Sequence, residues 1–77
     1  MMRRHRFHPG DRVRLTRDAT CGLFLRRHYK AGMLAEVVPD PDQGMLVQVR
    51  MDGTGRTEFL PRAALELVLA ATPLATV

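Results

Sequence analysis

The sequence predicts a small all-β domain, and two features of its pattern carry this prediction. Short segments alternate polar and apolar side chains, which is the period of a strand with one buried face. Groups of glycine, proline and aspartate separate these segments at short intervals, as turns between strands require. The 77 residues are 45 % hydrophobic and 26 % charged, which is enough apolar material for one compact core.

The first predicted strand is residues 12–16, which follow a turn signal at residues 9–11 and alternate polar with apolar side chains. Residues 17–32 have no clean period of two and contain two glycines, so we expect a long loop there. An apolar cluster, Leu23–Leu25, lies in the middle of this loop. Loops longer than about 12 residues are uncommon in compact domains and are often functional.

Three more strands are predicted in the centre of the chain, at residues 33–38, 45–51 and 56–60. The first ends at the proline-containing turn 39–44, because proline cannot donate to a strand ladder. The second is the clearest, and its alternation places four apolar side chains on one face. These four are Met45, Val47, Val49 and Met51. The glycine-containing turn 52–55 suits a tight hairpin between the last two of these strands.

The end of the chain allows two interpretations. Pro61 suits the first position of a helical turn over residues 61–65, with residues 66–69 as a closing strand. The alternative is one helix over residues 61–71, because most side chains there are good helix formers. We favour the strand. The predicted organisation is a basic N-terminal arm (1–8), a β domain (9–69) and a flexible C-terminal tail (70–77).

This layout resembles that of the SH3-like small β-barrels, which have a long first loop, a hairpin with glycine and a one-turn helix before the last strand. Residues 7–15, 30–38 and 60–68 carry the resemblance. It implies a five-stranded SH3-like barrel with a short helical turn before the last strand. The class includes KOW-type nucleic-acid-binding modules and type II dihydrofolate reductases. Because these proteins do different work, the shared layout does not name a function.

The reductases allow a comparison at the level of residues. Their pattern is similar to residues 10–14 and to residues 61–66 of this chain. The family carries its chemistry on a Val-Gln-Ile-Tyr run before the proline and on a lysine after the opening phrase. This chain has Thr-Glu-Phe-Leu at residues 57–60 and Leu-Thr at residues 15–16 instead. The residues therefore favour a noncatalytic protein. A small homo-oligomeric enzyme of the reductase kind and an accessory subunit of a larger complex are the alternatives.

Positive charge is concentrated in the first part of the chain. Residues 1–30 carry nine basic and two acidic side chains, whereas residues 31–77 carry three basic and six acidic ones. Such asymmetry predicts a partner with negative charge, either nucleic acid or an acidic protein. Two clusters are the candidate binding residues, namely Arg3, Arg4 and Arg6 in the arm, and Arg26, Arg27, His28, Tyr29 and Lys30 in the long loop. Each could equally be a solvated polar segment.

The remaining features give mainly negative expectations. A single cysteine, Cys21, cannot form an internal disulfide, which favours a reducing compartment and a cytoplasmic protein. No apolar run approaches the roughly 20 residues of a membrane span, so no membrane partner is expected. His5, His8 and His28 with Cys21 match no zinc spacing, and we expect no metal or other cofactor. A domain this small often gains stability by self-association, so a homo-oligomer and a monomer both stay open.

Overall fold

The computed structural model describes residues 7–40 and 44–71. These residues form short strands and two 3-10 turns, which confirms the all-β prediction. The strands are β1 (Arg12–Leu15), β2 (Ala19–Cys21), β3 (Arg27–Tyr29), β4 (Leu34–Val37), β5 (Leu46–Met51), β6 (Thr57–Pro61) and β7 (Leu65–Leu69). The 3-10 turns are Leu23–Leu25 and Arg62–Ala64. Within these ranges no helix is long and apolar enough to cross a membrane.

Five strands form one antiparallel sheet in the order β6-β5-β4-β1-β7. The first strand of the chain therefore lies beside the last one. In the described part of the chain β6 and β7 do not pair with each other, so the sheet is not closed and the predicted barrel is not confirmed. Strands β2 and β3 form a separate two-stranded hairpin.

The core lies on the inner face of the five-stranded sheet. Alternation along β5 buries Val47, Val49 and Met51 there, as the sequence predicts. Met45 is 83 % exposed, because β5 begins only at Leu46 and the inward alternation does not reach Met45. The other buried apolar side chains of this cluster are Phe7, Val13, Leu15, Cys21, Tyr29, Ala35, Val37, Leu60 and Leu65.

The expected long loop at residues 17–32 is instead the β2–β3 hairpin, closed by the first 3-10 turn. Cys21 and Tyr29 are the inward residues of these strands, and both belong to the buried cluster. Strands of three residues are too short to show a period of two. No strand signal was therefore visible in this segment.

Residues 61–69 form a 3-10 turn followed by β7, and the competing helix over residues 61–71 is wrong. Strand β7 pairs with β1 through Leu65 opposite Leu15 and Leu67 opposite Val13. The register shifts by one residue beyond this point, which leaves Val68 as the extra residue. This pairing with a strand about 50 residues earlier satisfies the backbone groups that a local helix would otherwise satisfy.

Candidate functional site

The β2–β3 hairpin is attached to β6 by a buried carboxylate. Glu58 on β6 is 3 % exposed and accepts hydrogen bonds from two residues of β3. The Tyr29 hydroxyl donates to Glu58 Oε2 at 2.6 Å. The Arg27 guanidinium donates through Nε to the same oxygen and through Nη2 to Oε1 at 3.0 Å. This two-pronged contact is the geometry in which arginine binds carboxylates most strongly.

The same contacts set the protonation of these groups. The Arg27 guanidinium lowers the pKa of Glu58 through its hydrogen bonds, against the opposing effect of burial. Burial raises the pKa of Tyr29, and its hydrogen bond to Glu58 raises that pKa further. The pKa of Arg27 is raised by the hydrogen bond to Glu58. At neutral pH the site therefore holds an ionised carboxylate, a charged guanidinium and a neutral phenol.

A glycine makes room for Arg27 at the start of the turn. Gly22 has φ +87°, which lies in a region of backbone conformation that residues other than glycine rarely adopt. A Cβ at this position would lie 2.6 Å from Cζ of Arg27. The guanidinium thus occupies the space that a side chain at residue 22 would need.

The hairpin ends in three exposed apolar residues, Leu23–Leu25, which we call the hairpin tip. Their side chains are 76 %, 80 % and 61 % exposed in chain order. Phe24 and Leu25 have φ of +58° and +50°, which is the left-handed region. This conformation costs roughly 1–2 kcal/mol for each residue other than glycine. Such strain is concentrated at functional sites in proteins.

Cations near the hairpin differ in their ion pairing from those on the outer face of the sheet. On the outer face three arginines are paired, in the ion pairs Arg12–Asp52, Arg14–Glu66 and Arg50–Glu36. Around the hairpin three exposed cations have no acidic partner among the described residues. They are Arg17, Arg26 and Lys30, which we call the hairpin cations.

Two observations place these cations around one structural unit. Arg17 lies at the base of the hairpin, because Asp18 beside it accepts a hydrogen bond from the Ala31 amide at 2.8 Å. Arg26 and Lys30 immediately flank β3. Three cations without an ion-paired carboxylate therefore lie on or beside the hairpin, and Arg56 before β6 is a further exposed arginine without one among the described residues.

The predicted binding residues separate into three groups. Arg26, His28 and Lys30 are exposed, as a binding surface requires. Arg27 and Tyr29 point inward to Glu58, so they hold the hairpin in place and do not present free binding groups. The two sets differ because side chains alternate along β3, so that every second one points toward the core. The arm residues Arg3, Arg4 and Arg6 lie outside the described residues.

Sequence reasoning did not assign Glu58 or Gly22 to this site. Glu58 is 31 residues from Arg27 in the sequence, and nothing in the local pattern links them. The glycine in the loop was a visible signal, but its function depends on the position of a guanidinium five residues later. The apolar cluster of the tip was visible as well, while its exposure was not.

Neither a nucleophile nor a metal centre is indicated near this site. Burial raises the pKa of the Cys21 thiol, and the negative charge of Glu58 acts in the same direction. The protonated thiol is a weak nucleophile. In residues 7–40 and 44–71 no group of three or more histidine, cysteine, aspartate or glutamate side chains could hold a metal ion.

A second apolar surface lies on the outer face of the sheet. Met45, Leu46 and Phe59 line a shallow depression there, together with Asp40 and Gly44. Phe59 is 50 % exposed. Leu60, the neighbour of Phe59 on β6, is fully buried in the core. Because successive side chains of a strand point to opposite faces, Phe59 lies on the face away from the core.

Together these features define a class, namely a small antiparallel β domain with an anchored hairpin that carries unpaired cations and an apolar tip. The chain matches no family model, no curated protein and no solved structure.

Proposed function

We propose that this chain is a noncatalytic binding module that contacts nucleic acid through the hairpin cations. The observation that carries the proposal is the difference in ion pairing between the hairpin and the outer face of the sheet. Arginines of the outer face are neutralised by neighbouring carboxylates, whereas Arg17, Arg26 and Lys30 are not. Unpaired arginine and lysine side chains are the groups that bind phosphates in nucleic-acid complexes.

An SH3-like barrel is the fold we propose for this module. The sheet order supports it, since the first and last strands are neighbours and the remaining strands follow in sequence order. The 3-10 turn Arg62–Ala64 immediately before the last strand supports it too. The β2–β3 hairpin then corresponds to the long first loop of that layout. A reducing compartment such as the cytoplasm suits a module whose one cysteine is unpaired.

Salt-dependent binding tests the proposal. We expect the purified chain to bind random-sequence DNA or RNA at about 50 mM salt and to lose affinity steeply toward about 200 mM, because phosphate contacts release counterions. Fluorescence anisotropy with labelled oligonucleotides at several salt concentrations measures both the affinity and the salt slope. Binding to no nucleic acid at the lowest salt would contradict the proposal, and binding to an acidic polypeptide instead would indicate a protein partner.

Paired substitutions locate the contact. Arg26→Gln with Lys30→Gln should reduce the slope of log affinity against log salt by about 1.4 for a single strand, since each phosphate contact contributes about 0.7. Arg14→Gln with Arg50→Gln is the control, because it removes the same charge from the outer face. We expect the control to keep most of its affinity. Equal losses in the two variants would show that net charge alone attracts the ligand.

A further inference from the structure

We infer that the hairpin tip is a base-stacking site for single-stranded nucleic acid, in which the ring of Phe24 stacks on an unpaired base. This inference rests on the proposed function, because it names the form of nucleic acid that the same hairpin would bind. The ligand is a single strand of DNA or RNA with accessible bases. Stacking on one aromatic ring tolerates any base, since every base has a π face.

The side chains of the hairpin tip are open to contact with a ligand. Phe24 is 80 % exposed, and leucines exposed to a similar degree flank it on both sides. Single exposed apolar residues are ordinary on protein surfaces, but three consecutive large ones in one turn form an apolar contact surface. Large apolar side chains are what proteins place against unstacked bases.

The backbone of the hairpin tip is strained. The positive φ angles of Phe24 and Leu25 would suit glycine or asparagine, and a turn with those residues would have no such strain. A bulky aromatic residue in this conformation gains no contact in the core, since its side chain points into solvent. A contact with a ligand is the physical benefit that would offset the strain.

The backbone of the hairpin tip is supported by contacts on both sides. Gly22 before the tip packs on the Arg27 guanidinium after it, and Arg27 is held by the buried Glu58. The Leu25 amide also donates a hydrogen bond to the Gly22 carbonyl at 2.9 Å. The backbone that carries the ring is therefore held in position before any ligand binds, which reduces the entropy cost of binding.

The arrangement of charge favours a single strand. Arg26, His28 and Lys30 are all exposed, and His28 lies on the outward side of β3 between the inward-pointing Arg27 and Tyr29. Arg26 and Lys30 flank this strand directly, and Arg26 follows the tip with helical φ and ψ, so positive charge lies within two residues of Phe24 in the chain. A single strand with one base on the ring would place its phosphates near these exposed side chains.

Substitution of the two exposed phenylalanines tests the inference. Phe24→Ala should weaken binding to a short oligothymidylate roughly 10- to 100-fold, the usual effect of removing a base–aromatic stack. The salt slope should stay unchanged, because the cations are retained. Phe59→Ala is the control, since Phe59 is an exposed phenylalanine on the outer face. We expect it to bind like the unmodified chain, and thermal unfolding checks that both variants are folded.

A fluorescent variant gives direct evidence of stacking. The chain contains no tryptophan, so Phe24→Trp introduces a single indole at the tip. We expect this variant to bind with full affinity and its emission to be quenched by the single strand, with weaker quenching by a duplex of the same sequence.

The outcomes separate the two proposals. If the unmodified chain binds and Phe24→Ala binds equally well, the stacking site is refuted and the cationic hairpin stands. If the unmodified chain binds no oligonucleotide at low salt, both proposals fail. An emission shift of Phe24→Trp with vesicles of phosphatidylserine and phosphatidylcholine, without any response to oligonucleotide, would overturn the inference and assign the tip to an anionic membrane surface.

Discussion

Glu58 is the residue on which the position of the hairpin depends. Its carboxylate is buried, and its charge is balanced by a guanidinium from a segment 31 residues earlier. Burying an unpaired carboxylate is costly, so the contact with Arg27 and Tyr29 is a condition for burying this side chain at all. Within the described chain, every buried polar side-chain atom has a hydrogen-bond partner. The polar cluster is thus compatible with a well-packed core.

The stability of the domain should depend on pH through Glu58. Its pKa in the folded protein lies below the ordinary 4.5, so the unfolded chain binds a proton more readily. The resulting stabilisation is present above about pH 4.5 and is lost as the pH falls through the lowered pKa. Glu58→Gln should therefore unfold with a free energy about 1–3 kcal/mol lower at pH 7. Its stability should fall less than that of the unmodified chain between neutral and acid pH.

Urea titrations at a series of pH values measure this effect. Glu66→Gln is the matched control, because Glu66 forms an exposed ion pair with Arg14 and such pairs contribute little. Asp52 adds a smaller acid-dependent part, since Arg12 lowers its pKa at an exposed position. Identical pH profiles for Glu58→Gln and the unmodified chain would show that the carboxylate does not link the hairpin to β6.

At the scale of elements, the β2–β3 hairpin shows how three-residue strands can be stable. Each contributes one side chain to the core, Cys21 from β2 and Tyr29 from β3. The ion pair with Glu58 adds a contact to β6, and Gly22 lets the turn lie close to Arg27. A hairpin of this length would not be stable alone in water. Its order comes from the surfaces on which it packs.

Two glycines with a similar positive φ test this packing. Gly22 and Gly53 both have φ near +90°, but only at Gly22 would a Cβ meet another group, the Arg27 guanidinium. Alanine at Gly53 should cost about 1 kcal/mol from backbone strain. At Gly22, whose ψ of −179° lies in a region restricted essentially to glycine, the strain alone should cost about 1–3 kcal/mol. We expect Gly22→Ala to cost about 1–3 kcal/mol more, because it displaces Arg27 from Glu58. Urea unfolding gives both values. In an Arg27→Ala background the part of the cost that comes from displacing Arg27 should vanish and only the strain should remain, so an undiminished cost of Gly22→Ala would refute the steric explanation.

Strand β7 shows tertiary contacts prevailing over local preference. Residues 61–71 are rich in good helix formers, yet Leu65–Leu69 is extended. The open edge of β1 offers hydrogen bonds to this segment, and Leu65 is buried against the core when it pairs there. A helix would have kept its own hydrogen bonds but left the edge of β1 unpaired. Helix propensity is a weak preference that such contacts override.

At the scale of the whole molecule, Asp11 connects the two ends of the described domain. It is 4 % exposed, and its two carboxylate oxygens accept hydrogen bonds from the His8 and Ala71 amides, each at 2.8 Å. Phe7, which precedes His8 and was predicted to belong to the basic arm, is buried in the core. The domain therefore extends from at least residue 7 to residue 71.

Removing this connection should loosen both ends together. Asp11→Ala leaves two backbone amides without their acceptor, and we expect a loss of about 1–3 kcal/mol in unfolding free energy. Hydrogen exchange should accelerate at both the His8 and Ala71 amides. Asp18→Ala is the control, because Asp18 is exposed and accepts a single bond from the Ala31 amide. Unchanged exchange at Ala71 in Asp11→Ala would contradict this role.

The sequence by itself determined the class of the domain and most of its strands. The alternation of β5 and β1 and the turn at residues 52–55 are local features, and they predicted the corresponding elements within one or two residues. The cationic character of residues 26–30 was also readable from the sequence. Periodicity and turn chemistry act between residues a few positions apart, so a linear sequence displays them.

Only the tertiary structure decided which of these cations are free. Arg26 and Arg27 are neighbours of the same type, yet one is exposed and the other is held by Glu58. The same holds for β7, whose conformation depends on the edge of β1. In both cases the deciding contact joins residues more than 30 positions apart, and the free energy of such a contact depends on the folded arrangement and not on the local sequence.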